Sequence, residues 1–270
     1  MPTTFGFAFS QSSVDVYDHY SDKFSKSELE FARKYPDYFT LNPESIKVTL
    51  YEVVEEKDTS YIKEPKEDPK DQDPFVIIDQ IINIASKIWA IVEKNKPVVD
   101  IDTKYATAVP EGISAWTQLS EWKKPKTYIY GFYAENLYGS VMIDLKYKVT
   151  FTYGGKYKGK GLYLTGVTVV PTTVSVGWGY RLGISAFAPD STIANVGTHE
   201  SPVASMQLKL TWKISTPIKE QNGTSVYYIE GNGYFEEIAS PFKEEADAEK
   251  KERISGYIKD AVKEWRKHNE

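Results

Sequence analysis

The chain has 270 residues, 41% of them hydrophobic and 26% charged, a composition that excludes disordered and collagen-like proteins. Its aromatic share of 14%, carried mainly by 20 tyrosines, favours β structure. The formal net charge of -5 excludes a chain-wide basic surface for nucleic acid. The absence of cysteine excludes disulfides and zinc–thiolate sites.

The first segment, residues 1–62, is irregular apart from two predicted elements. Ser27 is placed to cap a short helix over 27–34, which Pro36 ends. The β-branched residues of 47–54 predict a strand. Residues 63–74 then carry mixed charge and three prolines but no apolar side chain, so they predict a linker or exposed loop.

Residues 75–94 predict an amphipathic helix that opens the main domain, residues 75–240. Pro74 suits the start of a helix, and the polar residues that follow recur at helical spacing. Isoleucines fill a broad apolar arc. Because the polar face is mixed and sparse rather than rich in Lys and Arg, the pattern favours a helix packed on a sheet over one lying on a membrane.

Residues 97–238 predict strands almost throughout. Apolar and polar residues alternate over 141–153, 174–186 and 206–215, as in strands with one buried and one solvated face. Turns are predicted at 154–155, at 158–161 and at Asn222-Gly223, the last as a type I′ hairpin. Short turns between consecutive strands imply antiparallel pairing, so the predicted fold class is mainly β (α+β), an antiparallel β-sandwich or open barrel.

Residues 241–270 predict a second, C-terminal amphipathic helix, over about 243–268. Acidic residues crowd its first turns and basic residues its last, as the helix dipole prefers. Its apolar residues form a stripe at spacings of three and four: Ile254, Tyr257, Ile258, Ala261, Val262 and Trp265. The predicted β domain therefore has one helix before it and one after it.

Neither a membrane-spanning helix nor a signal peptide is recognisable in the sequence. No stretch is long and apolar enough for a membrane-spanning helix, and the N-terminus lacks the basic region and apolar core of a signal peptide. The sequence therefore predicts a cytoplasmic chain by default, with export by a route that needs no signal peptide left open.

The chain offers little catalytic or metal-binding chemistry. His199 lies in a predicted polar loop with Asp190 and Glu200, and these three residues are weak candidates for acid–base chemistry or metal ligation. No metal-ligand spacing, nucleophile motif or phosphate-binding glycine loop accompanies them, so no catalytic residue, metal or cofactor is predicted. The alternative interpretation is a solvated loop histidine.

Aromatic residues between 116 and 138 are the remaining functional signal. Trp and Tyr combine a flat apolar body with a polar edge, which suits binding to a sugar, a peptide or a lipid head group. The candidate ligand-binding residues are Trp116, Trp122, Tyr128, Tyr130, Tyr133 and Tyr138. The alternative is packing, because Tyr128, Tyr130 and Phe132 share one face of a predicted strand and are expected to point inward.

Three functions are compatible with these observations. The first is a non-catalytic β-sandwich that binds a protein, a carbohydrate or a lipid head group, or that self-assembles into a homo-oligomer; nucleic acid is not an expected partner. The second is a membrane-active, pore-forming type of protein, because an amphipathic helix before an aromatic-rich β-sandwich resembles the layout of actinoporins, which implies membrane insertion. The third is a hydrolase that uses the 190–200 loop.

Overall fold

The structure is a computed structural model that describes residues 23–55, 75–98 and 104–240. These residues form one α-helix, α1 (Lys26–Lys34), and short 3-10 turns that include Pro36–Phe39 and Pro43–Ser45. The strands are β1 (Lys47–Glu55), β2 (Ile77–Ile82), β3 (Ile88–Glu93), β4 (Lys96–Pro97), β5 (Ala106–Glu111), β6 (Lys126–Glu135), β7 (Val141–Tyr157), β8 (Lys160–Val176), β9 (Arg181–Phe187), β10 (Ala194–Asn195), β11 (Ala204–Ser215), β12 (Glu220–Glu230) and β13 (Phe235–Ala239).

The strands form two antiparallel sheets. The first has the strand order β1-β6-β7-β8-β5-β2, and the second has the order β13-β12-β11-β9-β3-β4, with the short β10 paired to β11. The two sheets pack face to face as a sandwich, which confirms the predicted antiparallel β fold. The alternation predicted over 141–153 is confirmed for 143–149, where Leu145 and Tyr147 of β7 are buried while Asp144 and Lys146 are exposed. Outside that stretch it fails, because Val141 is exposed and Met142, Thr150 and Thr152 are buried.

Aromatic side chains from facing strands fill the space between the sheets. The ring of Phe132 in β6 lies 4.0 Å from that of Trp212 in β11, and Tyr130 lies 5.3 Å from Tyr227 in β12. The hydroxyls of Tyr147 and Tyr227 are 2.9 Å apart and share a hydrogen bond, and burial raises the pKa of both phenols. The inward packing predicted for Tyr130 and Phe132 is confirmed.

The first predicted helix and strand are present, with a different cap. α1 is capped by Ser25 and not by Ser27: the Ser25 hydroxyl accepts a hydrogen bond from the backbone N–H of Glu28 at 3.3 Å. The Glu28 carboxylate accepts in return from the backbone N–H of Ser25 at 2.7 Å, which completes a capping box. β1 covers the predicted strand.

The amphipathic helix predicted over 75–94 is wrong, because β2 and β3 occupy this segment. Short isoleucine-rich runs satisfy a helical arc and a buried strand equally well, and β-branched side chains favour the strand. Asn83 breaks the run, since its side-chain oxygen accepts hydrogen bonds from the backbone N–H groups of Ala85 and Thr107. β2 then pairs with β5, and β3 pairs with β9.

The predicted turn at Asn222-Gly223 is also wrong. Both residues lie within β12, where Gly223 pairs with Trp212, and the chain reverses instead at 216–219. There the Thr216 hydroxyl accepts hydrogen bonds from the backbone N–H groups of Ile218 and Lys219 and so closes the turn. The eleven paired positions of β11 and β12 outweigh the local preference of Asn-Gly for a turn.

Of the two turns predicted within 154–161, one is confirmed. The β7–β8 reversal occurs at Lys158-Gly159, both with positive φ, within the turn predicted at 158–161. The pair 154–155, by contrast, lies inside β7. The run predicted as one strand over 174–186 is broken at 177–180, between β8 and β9, where Gly179 has φ +76°. The predicted linker at 63–74 and the predicted C-terminal helix at 241–270 lie outside the described residues.

Candidate functional site

Two of the predicted ligand-binding aromatics lie in the core. Tyr130 is 1% exposed, and burial raises the pKa of its phenol. The half-buried ring of Tyr128 stacks on Phe235 of β13, with the ring centroids 3.7 Å apart. Both rings belong to the packing between the sheets.

The other four predicted aromatics lie at separate places. Trp116 and Trp122 form an edge-to-face pair 6.4 Å apart near the β7–β8 end of the sandwich. The Tyr133 hydroxyl donates to the Glu135 carboxylate at 2.6 Å, on the face of β6 opposite to Tyr130. Tyr138 is exposed in the β6–β7 turn, at the other end of β7. The six residues therefore do not form one surface.

The polar-loop candidates have separate partners. Asp190 forms an ion pair with Lys87. His199, whose side chain is 74% exposed, places its Nδ1 atom 2.6 Å from a carboxylate oxygen of Asp79 in β2. That hydrogen bond raises the pKa of His199 and lowers the pKa of Asp79, and the nearby charge of Glu200 raises the pKa of His199 slightly further.

One end of the sandwich is closed by α1 and the two 3-10 turns that follow it, and we call it the helix-capped end. It carries the β6–β7, β8–β9 and β11–β12 turns. The N–H of Leu137 donates to the carbonyl of Thr40 at 3.0 Å, and the side-chain amide of Asn136 donates to the carbonyl of Tyr38 at 3.2 Å. The Tyr180 hydroxyl donates to the same carbonyl at 2.6 Å, so the 36–45 segment is tied to two of the turns.

An ion pair between a buried carboxylate and a partly exposed arginine holds α1 against the second sheet. The Arg181 Nη2 atom of β9 lies 2.8 and 3.0 Å from the two carboxylate oxygens of Glu28, whose side chain is only 5% exposed. Burial by itself raises the pKa of Glu28, but hydrogen bonds from the Ser25 backbone and from Arg181 outweigh it, so the pKa lies below its usual value. The guanidinium also lies 4.8 Å above the ring of Phe24.

Four aromatic residues at this end contact one another, and we call them the aromatic surface: Phe31, Tyr35, Tyr38 and Trp178. The ring of Phe31 lies 5.5 Å from Trp178 and 4.6 Å from Tyr35. Phe31 is 42% exposed and Trp178 49%. The fully buried Phe39 lies beneath them, 5.8 Å from Trp178, and fixes their positions from below.

The β6–β7 turn and the first residue of β7 carry further exposed apolar residues at this end. Leu137, Tyr138 and Val141 are each about half exposed. No charged residue lies between 136 and 143 or between 177 and 180. The aromatic surface is therefore continued by two uncharged turns, an arrangement that usually marks a site of interaction.

A pocket of about 180 Å³ lies on the β1 side of the helix-capped end. It is lined by Pro43, Ile46, Trp212, Ile214, Gln221 and Asn222. The same short segment that carries Tyr38 of the aromatic surface thus also supplies two walls of the pocket.

Phe31, Tyr35 and Trp178 are not among the residues predicted from sequence, because the helix and the turn that carry them are far apart in the chain. One signal was available. Trp178 lies between Gly177 and Gly179, and a bulky ring between two glycines indicates a turn and not the middle of a strand.

Within the described ranges, no group of three or more His, Asp or Glu residues is placed to hold a metal ion. None of the helices in that part of the chain is long and apolar enough to cross a membrane. No protein-family model, curated protein or solved structure matches this chain.

Proposed function

We propose that this protein is a non-catalytic binding protein whose recognition surface is the aromatic surface at the helix-capped end. The observation that carries the proposal is the contact between the exposed ring of Phe31, on a helix anchored by the Glu28–Arg181 ion pair, and the exposed ring of Trp178 in the β8–β9 turn, 5.5 Å away. The two rings leave nearly half of their surface in water while they contact one another, and contiguous exposed apolar surface is typical of an interaction site.

The aromatic surface has the physical properties of a binding hot spot. Large rings bury much apolar area on binding and lose little conformational entropy, and aromatic neighbours already restrict these four. The partner best suited to such a surface presents its own flat or apolar groups. A protein, including a second copy of this chain, a carbohydrate and a lipid head group all meet this condition.

Binding measured on three kinds of partner tests the proposal. Sedimentation velocity over a concentration series detects self-association, affinity electrophoresis detects soluble polysaccharides, and flotation detects phosphatidylcholine vesicles. We expect binding in one arm, weakened at least about tenfold by Trp178→Ala. Tyr234→Ala is the matched control, because Tyr234 is equally exposed but lies in the β12–β13 turn at the opposite end. Absence of binding in all three arms, or equal weakening by both variants, contradicts the proposal.

A membrane-active protein is the second candidate, and the β6–β7 turn favours it. Leu137 and Tyr138 in the turn and Val141 at the start of β7 are exposed at the same end of the sandwich as Trp178. Trp and Tyr are enriched at membrane interfaces. The resemblance in layout to actinoporins no longer supports this candidate, since the helix predicted before the sandwich consists of strands. Dye release from vesicles separates a pore from simple adsorption.

A hydrolase built on the 190–200 loop receives no support from the geometry. Asp190 and His199 contact different partners, Lys87 and Asp79. Among the described residues, the hydrogen-bond partner of His199 is a carboxylate and not a hydroxyl that it would activate.

A further inference from the structure

The pocket at the helix-capped end opens into the space between the two sheets. Trp212 and Ile214 are core-facing residues of β11, and both are buried. Pro43 and Ile46 approach from the other side, just before β1 begins. The pocket is thus an extension of the hydrophobic core that remains reachable from the surface.

The lining defines the size and charge of a suitable ligand. The pocket volume of about 180 Å³ is close to that of an apolar cavity of about 150 Å³ known to bind benzene. None of the six lining residues in the described part of the chain carries a charge. A charged group would lose its hydration here without a compensating partner, so a neutral ring is favoured.

Gln221 adds one polar requirement to this apolar site. It pairs with the core-facing Ile214, and cross-strand partners share a face, so its side chain points between the sheets. Its side-chain oxygen is buried, and no hydrogen-bond donor among the described residues reaches it. A buried oxygen without a hydrogen bond destabilises the structure, and a bound donor removes that cost. The amide of Gln221 rotates easily about its last side-chain torsion, so its oxygen can be turned towards a donor in the pocket.

We infer that this pocket binds one uncharged aromatic ring that carries a hydrogen-bond donor, with the donor directed to the side-chain oxygen of Gln221. A phenol has the required chemistry, since a flat ring of this size fits the volume and its hydroxyl donates one hydrogen bond. The same group is offered by a free phenolic molecule and by a tyrosine side chain of a partner protein. The inference does not depend on binding at the aromatic surface.

Titrations of the full chain with p-cresol, 4-methylanisole and toluene test this inference. The readout is the pair of methyl resonances of Ile46 and Ile214 in isoleucine-labelled protein, which report on the pocket directly. We expect saturable shifts with p-cresol, with a dissociation constant on the order of 1 mM. 4-Methylanisole and toluene have a similar ring but no hydrogen-bond donor. We expect both to bind about fivefold more weakly than p-cresol.

The variant Gln221→Leu tests the polar half of the inference. We expect p-cresol to bind it about fivefold more weakly while toluene binds at least as well as before, which also shows that the pocket is intact. The ligand series on the unaltered chain decides the matter even if this variant fails to fold.

Two results overturn the inference. One is the absence of saturable shifts at Ile46 and Ile214 up to the solubility limit of p-cresol. The other is equal affinity for p-cresol and 4-methylanisole. A blocked tripeptide, Gly-Tyr-Gly, identifies the source of the ring: shifts at the same methyls indicate a tyrosine of a partner, and shifts with p-cresol alone indicate a free phenol.

Discussion

Replacing Gly179 by alanine tests how the aromatic surface is held in place. Gly179 lies in the β8–β9 turn at φ +76°, and a Cβ atom built there lies 2.2 Å from a ring carbon of the buried Phe39. Gly139, in the β6–β7 turn, has nearly the same φ, +74°, but no described atom lies within 4 Å of its Cβ position. The two sites therefore share a backbone cost and differ in steric cost.

The structure sets a magnitude for each cost. A left-handed backbone costs alanine about 1–2 kcal/mol, which is the whole loss expected for Gly139→Ala. At Gly179 the Phe39 ring must also retreat from 2.2 Å to the ordinary contact range of 3.4–4 Å. Tyr180 stacks on that ring at 6.5 Å and Trp178 lies 5.8 Å away, so over-packing adds about 1–3 kcal/mol. We expect Gly179→Ala to lose about 2–5 kcal/mol.

Urea unfolding followed by circular dichroism measures both losses, provided that the two variants keep the same slope with denaturant. Equal free energies of unfolding for the two variants would refute the reasoning, since they would show that Phe39 moves without cost. The double variant Gly179→Ala, Phe39→Leu provides a further check. With the ring gone, the steric part of the loss is expected to shrink.

Three further predictions concern contacts outside the aromatic surface. Glu28→Ala removes the buried carboxylate that bonds to the Ser25 backbone and to the partly exposed Arg181 guanidinium, so we expect the free energy of unfolding to fall by about 1–2 kcal/mol. A loss under about 0.5 kcal/mol in urea would show that α1 is held by other contacts. The hydrogen bond to Asp79 raises the pKa of His199, so a ring titration by NMR is expected to show a midpoint above about 6.5, which Asp79→Asn returns towards that value. Because the pKa of His199 is raised in the folded state, its contribution to stability is complete below about pH 6.5 and is lost as the pH rises through the folded-state midpoint. A His199 midpoint that does not change in Asp79→Asn would contradict the hydrogen bond between His199 and Asp79. Gly131→Ala places a Cβ atom 2.4 Å from the ring of Tyr51 in β1, so we expect the backbone amides of β1 to exchange faster with solvent. Unchanged exchange rates would mean that the exposed Tyr51 ring moves aside freely.

The periodicity of the sequence determined the strands and their buried faces. Successive side chains of a strand point to opposite faces, so alternating residues such as those of 143–149 are compatible with only one orientation towards a core. Residues 75–94 show no regular alternation that distinguishes a strand from a helix. Their clustered isoleucines satisfy a helix and a strand alike, and only pairing with β5 and β9 selects the strands.

Tertiary structure alone decided the turns and the candidate site. The register of β11 and β12 carries Asn222-Gly223 into a strand, because eleven paired positions stabilise the hairpin more than one favourable turn sequence. The rings of Phe31 and Trp178 meet because the Glu28–Arg181 pair brings α1 onto β9. The pocket exists because the segment that carries Pro43 and Ile46, just before β1, lies close to Ile214 of β11. Local periodicity reports which face of an element is buried, whereas contacts between distant elements depend on how the sheets are stacked.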